Sequence, residues 1–177
     1  PVDNSTTATT LTVTPNDGLI EGVADTIAIN VTPINDAPTA TGTISSTALD
    51  DDTGAQSIFG NVVIGDVDAG ENDLIVEIRL SNDAAGTVSG GGFTDQGSGV
   101  YRLTSQTPAT ATTALDSVTF TPTNNSGSSG TFSTDVTIAV DDQDAAAVTH
   151  TAGTVTITRV NDAPSGTDGS QSVRINR

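Results

Sequence analysis

The chain of 177 residues contains no cysteine, no lysine and no tryptophan. Without cysteine no disulfide can staple the fold, and without lysine the Lys–Asn isopeptide cross-link is ruled out as well. The absence of thiols does not set the compartment, because it suits both reduced cytosolic proteins and bacterial secreted proteins exported unfolded. One tyrosine and four phenylalanines are the only aromatics, so a core must be built from Val, Ile and Leu. Basic residues are scarce too: five arginines stand against 22 acidic residues, for a net charge of −17. A chain this acidic, with no basic patch interleaved with aromatics, repels phosphate backbones and excludes nucleic acid as a partner. No apolar run approaches the ~18 residues of a spanning helix, so membrane insertion is not expected.

Catalytic chemistry finds little material. His150 is the single histidine, read here as a surface residue on a loop before a strand. No serine stands in a nucleophile-elbow pattern. Paired carboxylates of the glycosidase kind need a cleft lined by sugar-stacking aromatics, which a chain without tryptophan is poorly equipped to build. The expectation is a protein that is not an enzyme.

What the chain has is aspartate, glycine, serine and threonine. Nineteen of the acidic residues are Asp and only Glu21, Glu71 and Glu77 are Glu. A need for solubility would be met by either acid, whereas short Asp side chains suit turns and sites for hard cations. The tetrapeptide Asn-Asp-Ala-Pro occurs twice, at 35–38 and 161–164, each time after an alternating apolar strand. The two copies lie 126 positions apart (161 minus 35), the length of a whole domain. The chain therefore reads as a window on a tandem array. Residues 1–34 are the last two strands of a preceding repeat, 35–38 a linker, 38–164 one complete repeat, and 165–177 the start of the next or a tail.

Inside the complete repeat, short alternating runs are separated by Gly, Asp, Asn and Ser clusters, and no segment shows a helical period. The runs cover 58–64, 74–80, 86–89, 100–104, 115–121, 132–140 and 153–160. Seven strands at this spacing predict an all-β fold, specifically a Greek-key β-sandwich of the immunoglobulin-like type. The alternation assigns Ile58, Val62, Ile64, Leu74, Val76, Ile78, Leu80, Tyr101, Leu103, Val118, Phe120, Phe132, Val136, Ile138, Val140, Val155 and Ile157 to the core.

In such a sandwich Asp66 and Asp68 follow one strand, Asp141, Asp142 and Asp144 follow another, and both loops fall at the end where the chain enters through Asn35 and Asp36. Three acidic clusters would converge, offering oxygens to a cation that takes six to eight of them. Two carboxylates about 5 Å apart repel by about 3 kcal/mol at an effective dielectric near 20, so convergence calls for a counter-charge. The alternative is that each cluster is a solvated turn. Two other calcium patterns are set aside. Residues 66–77 place Glu71 where an EF-hand loop needs glycine, and the glycine-rich run at 90–95 does not repeat as a β-roll nonapeptide would. That run reads as a mobile or bulged connection.

Taken together, the Asn-Asp linker, the Asp-x-Asp at 66–68 and the Asp-rich run at 141–144 give the chain a pattern that resembles the cadherin-like repeats of bacterial surface proteins and large secreted adhesins. The resemblance implies Ca2+ bound between neighbouring repeats by Asn35, Asp36, Asp66, Asp68, Asp141, Asp142 and Asp144. It implies an extracellular or cell-surface bacterial setting, with neighbouring repeats of the same chain as partners. The chain departs from the pattern in that residues 1–34 lack the earlier strands that would add ligands from upstream. The function expected is a calcium-stabilised structural spacer. Two alternatives stand beside it: a self-assembling filament or surface-layer subunit that forms a homo-oligomer by donating strands from residues 1–34, and a module binding a surface glycan through loops 90–99 or 124–130.

Overall fold

The computed structural model describes residues 8–45, 47–68, 70–124, 129–144 and 146–162. Residues 163–177, which hold the end of the second tetrapeptide and the expected tail, lie outside the described residues. Twelve strands dominate the described chain: β1 Thr9–Val13, β2 Asp25–Ile29, β3 Thr39–Thr41, β4 Ala48–Asp50, β5 Val63–Gly65, β6 Leu74–Leu80, β7 Gly86–Gly90, β8 Thr94–Gly97, β9 Val100–Gln106, β10 Val118–Pro122, β11 Gly130–Asp141 and β12 Val148–Arg159. The fold is all-β apart from one helix, α1 Pro108–Asp116, and one 3-10 turn at Asp83–Ala85.

A six-stranded sheet runs in the order β4-β12-β11-β6-β9-β8. Its centre is antiparallel, with β11 between β6 and β12, while β4 joins β12 in parallel. The pairs β3–β5 and β7–β10 are antiparallel, and an isolated bridge between Gln56 and Phe120 links the stretch before β5 to β10. Side chains from all of these strands except the exposed β8 enter one core cluster, in which Ile58, Phe59, Leu74, Ile78, Phe120, Ile138 and Ile157 are fully buried. Every residue assigned to the core from the alternation is buried except Phe132, which packs half-buried against the cluster under the guanidinium of Arg159, 5.0 Å from its ring centre.

Several expectations need correction. The run at 115–121 is split: α1 ends at Asp116 and the strand begins at Val118. Thr107 caps this helix, accepting from Thr110 N at 3.1 Å while Thr110 Oγ1 takes the Thr107 N–H at 2.9 Å, and Pro108 opens the first turn. Such a capping box starts a helix even in a threonine-rich stretch. Ala111 and Leu115, four apart on one face, are buried, and Thr112 Oγ1 accepts from Ile64 N at 3.0 Å, tying the helix to β5. The run at 58–64 is likewise broken, with Val62 N closing a turn on the Phe59 carbonyl before β5 begins at Val63. The glycine-rich run, read as a mobile or bulged connection, turns the chain from β7 into β8, which pairs with β9 through a register shift between Asp95 and Gly97.

Two glycines are fixed by their surroundings. Gly42 has φ +89 and a Cβ there would run into the Asn61 carbonyl, while Gly86 in β7 leaves room for the ring of Phe120. His150 lies within β12 rather than on a loop, and its Nε2 is 2.5 Å from the Gly42 carbonyl. Apart from this body, β1 and β2 form an antiparallel hairpin whose strand residues are all exposed.

Candidate metal centre

The candidate site assembles where β5, β11 and the linker meet. Asp66 and Asp68 leave the end of β5, and the Asp66 carboxylate turns back so that Oδ1 accepts from Asp68 N at 2.8 Å. Such a turn is a habit of Asp, whose short side chain reaches the backbone two residues on. Asp68 Oδ2 in turn accepts from Asp36 N at 2.7 Å. On the other side, Asp142 Oδ2 accepts from Asn35 Nδ2 at 2.8 Å, and its Oδ1 from Asp144 N at 3.1 Å. Adjacent linker residues thus reach two loops that are 74 positions apart in sequence (142 minus 68). Asp142 is 2 % exposed, deeper than any other member of the set.

Of the seven residues read as ligands, Asn35, Asp36, Asp66, Asp68, Asp142 and Asp144 join this network. Asp141 does not. It is the last residue of β11, so its side chain points to the face opposite Asp142 and lines a separate depression with Glu77 and Arg79. Its Oδ1 accepts from Gln143 N at 2.8 Å. The sequence run Asp141-Asp142 looks like one cluster, but strand parity at the end of β11 divides it.

Beside the network lies a depression of about 290 Å³ lined by Asn35 and Asp68 together with Glu71 and Asp73. Neither of these last two was read as a ligand from the sequence. The Glu71 carboxyl is raised above its ordinary value, first by a hydrogen bond shared with the Asp73 carboxyl, as happens when two acids crowd without a counter-charge. Asp66 Oδ2 is buried and has no hydrogen-bond partner among the described residues. An orphaned carboxylate oxygen is costly, and a cation relieves it.

In chemistry the donor set fits a hard cation, since it offers only carboxylate, amide and backbone oxygens. Among the described residues, however, no three acidic or histidine side chains stand arrayed as a ready cage. The carboxylates are turned to backbone N–H groups instead.

At the far end of the molecule a second linker contact appears, which sequence reasoning missed. Asp51, 2 % exposed, accepts from Val160 N at 2.8 Å, while its own N–H bonds the Thr158 carbonyl at 2.9 Å. It fastens the chain as it leaves β12 just before Asn161. The available signal was the run Asp50-Asp51-Asp52, which forms a turn closed by Thr53 N on the Asp50 carbonyl.

No protein-family model matches the chain, and no curated protein matches it.

Proposed function

We infer that this protein is a structural spacer, one repeat of a tandem array in a large extracellular bacterial adhesin or surface protein. The observation that carries the reading is where the chain enters and leaves. Asn35 is held beside Asp142, just past the end of β11, and Val160 is held by Asp51 just past the end of β12. Because β11 and β12 are antiparallel partners, these are opposite ends of one long strand pair, roughly 40 Å apart at about 3.4 Å per residue over twelve residues. Repeats joined in this way extend end to end instead of folding back. The sheets and common core are read as the two layers of a Greek-key β-sandwich of the cadherin-like kind, in keeping with the order of the acidic motifs.

Calcium is the counter-charge proposed for the entry end. Asn35, Asp36, Asp66, Asp68, Asp142 and Asp144 would hold it, with Glu71 and Asp73 at the rim of the same depression. When bound, the ion supplies positive charge that draws linker and loops together. The residues themselves already set the linker's place through the Asn35–Asp142 and Asp36–Asp68 contacts, so binding requires only that carboxylate oxygens trade backbone N–H partners for the ion. No catalytic role is proposed. Calorimetric titration of the chain with calcium tests the site: saturable binding that Asp68→Ala weakens supports it, and no heat of binding in the unmodified chain refutes it.

Strand donation into a homo-oligomer remains a second reading, favoured by one observation. The hairpin of β1 and β2 leaves Leu11, Val13, Ile27 and Ile29 between 44 and 55 % exposed, and both of its outer edges are unpaired among the described residues.

A further inference from the structure

On the outer face of the six-stranded sheet, Glu77 is 7 % exposed and is gripped from two sides. Arg79 donates to its Oε2 through Nε at 2.9 Å and Nη2 at 2.6 Å. Arg102, directly opposite on β9, reaches Oε1 through Nε at 2.8 Å and Nη2 at 2.5 Å. One arginine would neutralise one carboxylate. Here two of the chain's five basic residues are committed to one carboxylate, so the positive charge is concentrated at this end while Asp141 sets a negative charge at the other. Each guanidinium has five N–H donors, so at least three on each remain after Glu77 is satisfied. Both side chains are about half exposed, at 48 and 46 %.

These arginines border a cavity of about 190 Å³. Its floor is Ala139, which pairs with Glu77 across the sheet, and its apolar walls are Ile75 and Ala147. The small side chains of Ala139 and Ala147 leave a notch where larger residues would fill the surface. Asp141 closes the other end, its Oδ1 accepting from Gln143 N. The notch is below the roughly 300–1,000 Å³ typical of pockets for larger ligands, which limits the occupant to something the size of one sugar or one amino acid. The net charge of −17 works against a polyanion, whose long-range repulsion a small monoanion escapes by screening.

We propose that this notch binds a small carboxylate ligand, its carboxylate on the open guanidinium edges of Arg79 and Arg102 and a hydroxyl or ammonium group at its other end on Asp141. Planar guanidinium forks match a carboxylate in both hydrogen bonding and shape. Glu77 acts as a positioning residue that fixes both forks. The site lies on a different face from the linker network and does not rest on the spacer reading.

The test is an amide chemical-shift titration of the full chain in calcium-free buffer, with D-glucuronate, L-alanine and D-glucose as separate probes. Saturable shifts confined to residues 75–79, 100–104 and 139–141 are expected with a carboxylate probe, and none with neutral glucose. Saturation by glucuronate alone assigns a sugar acid, and saturation by alanine alone assigns an amino acid. Arg79→Lys with Arg102→Lys keeps the charge that Glu77 needs, so the fold is retained, but removes the forks and should weaken binding at least tenfold. Absence of saturation by either carboxylate in the tens of millimolar overturns the proposal, as does a lysine variant that binds as well as the original.

Discussion

Asp66, Asp68 and Asp142 turn inward to hold backbone and linker groups, while Glu77 is held by two arginines on a sheet face, and the two kinds of acid should respond differently to substitution. Asp68→Ala and Asp144→Ala are each expected to weaken calcium binding, whereas Glu77→Ala should leave it unchanged; calorimetry in which Glu77→Ala is the most damaging would reverse this assignment. Asp142→Ala should lower stability even in chelator, by about 2 kcal/mol, because it removes charge-assisted hydrogen bonds from a buried position; urea unfolding measures it. Glu77 also carries a pH signature. Burial pushes its carboxyl up, but the hydrogen bonds and charges of Arg79 and Arg102 outweigh that and hold it below the ordinary value of 4.5. A carboxyl lowered in the folded state contributes stability that is fully present above the unfolded pKa and is lost as pH falls through the folded one. Glu77→Gln should therefore cost stability at pH 7 and progressively less below about pH 4.5, and an equal cost at pH 7 and pH 3 would contradict the pairing. At this scale the sequence order of the acidic motifs was enough to indicate that Asn35 and Asp36 approach Asp68 and Asp142. It could not separate Asp141 from Asp142, because that depends on whether β11 ends one residue earlier or later.

Among the elements, strands such as β6 and β11 were readable because apolar residues line the core face while mostly polar residues line the other. The helix was not, since its nine residues are mostly Thr and Ala and bury only Ala111 and Leu115, too few apolar positions to announce a period. Its signal was the cap: Thr107, Pro108 and Thr110. Thr107→Ala should accordingly destabilise the fold by about 1 kcal/mol, measurable by denaturant unfolding, and no change would mean that packing of Leu115 alone holds the helix. The hairpin β1–β2 is the opposite case, a readable pair of strands that buries none of its residues. It pairs Leu11 with Ile27, much as β11 pairs with β12, but without neighbours on either edge among the described residues. Two strands alone are marginal in water. Deleting residues 1–34 should leave the unfolding midpoint of the remaining unit in place. If the chain oligomerises in solution, the deletion should abolish that assembly if strand donation is its cause; oligomers of unchanged mass in the truncated chain would exclude donation.

For the whole molecule we propose that an acidic unit with its linkers held at opposite ends becomes stiffer and more stable when calcium occupies the entry end. In the proposed site the carboxylates near Asn35 and Asp36 would repel one another, and a cation would offset that repulsion. A site with a dissociation constant near 10⁻⁴ M, bathed in calcium at a hundred times that value, adds about 2.7 kcal/mol to the folded state. Thermal unfolding of the full chain, recorded once in about 10 mM calcium and once in chelator, tests this most directly. A clearly higher melting temperature in calcium is the predicted result, and superimposable melting curves would contradict it.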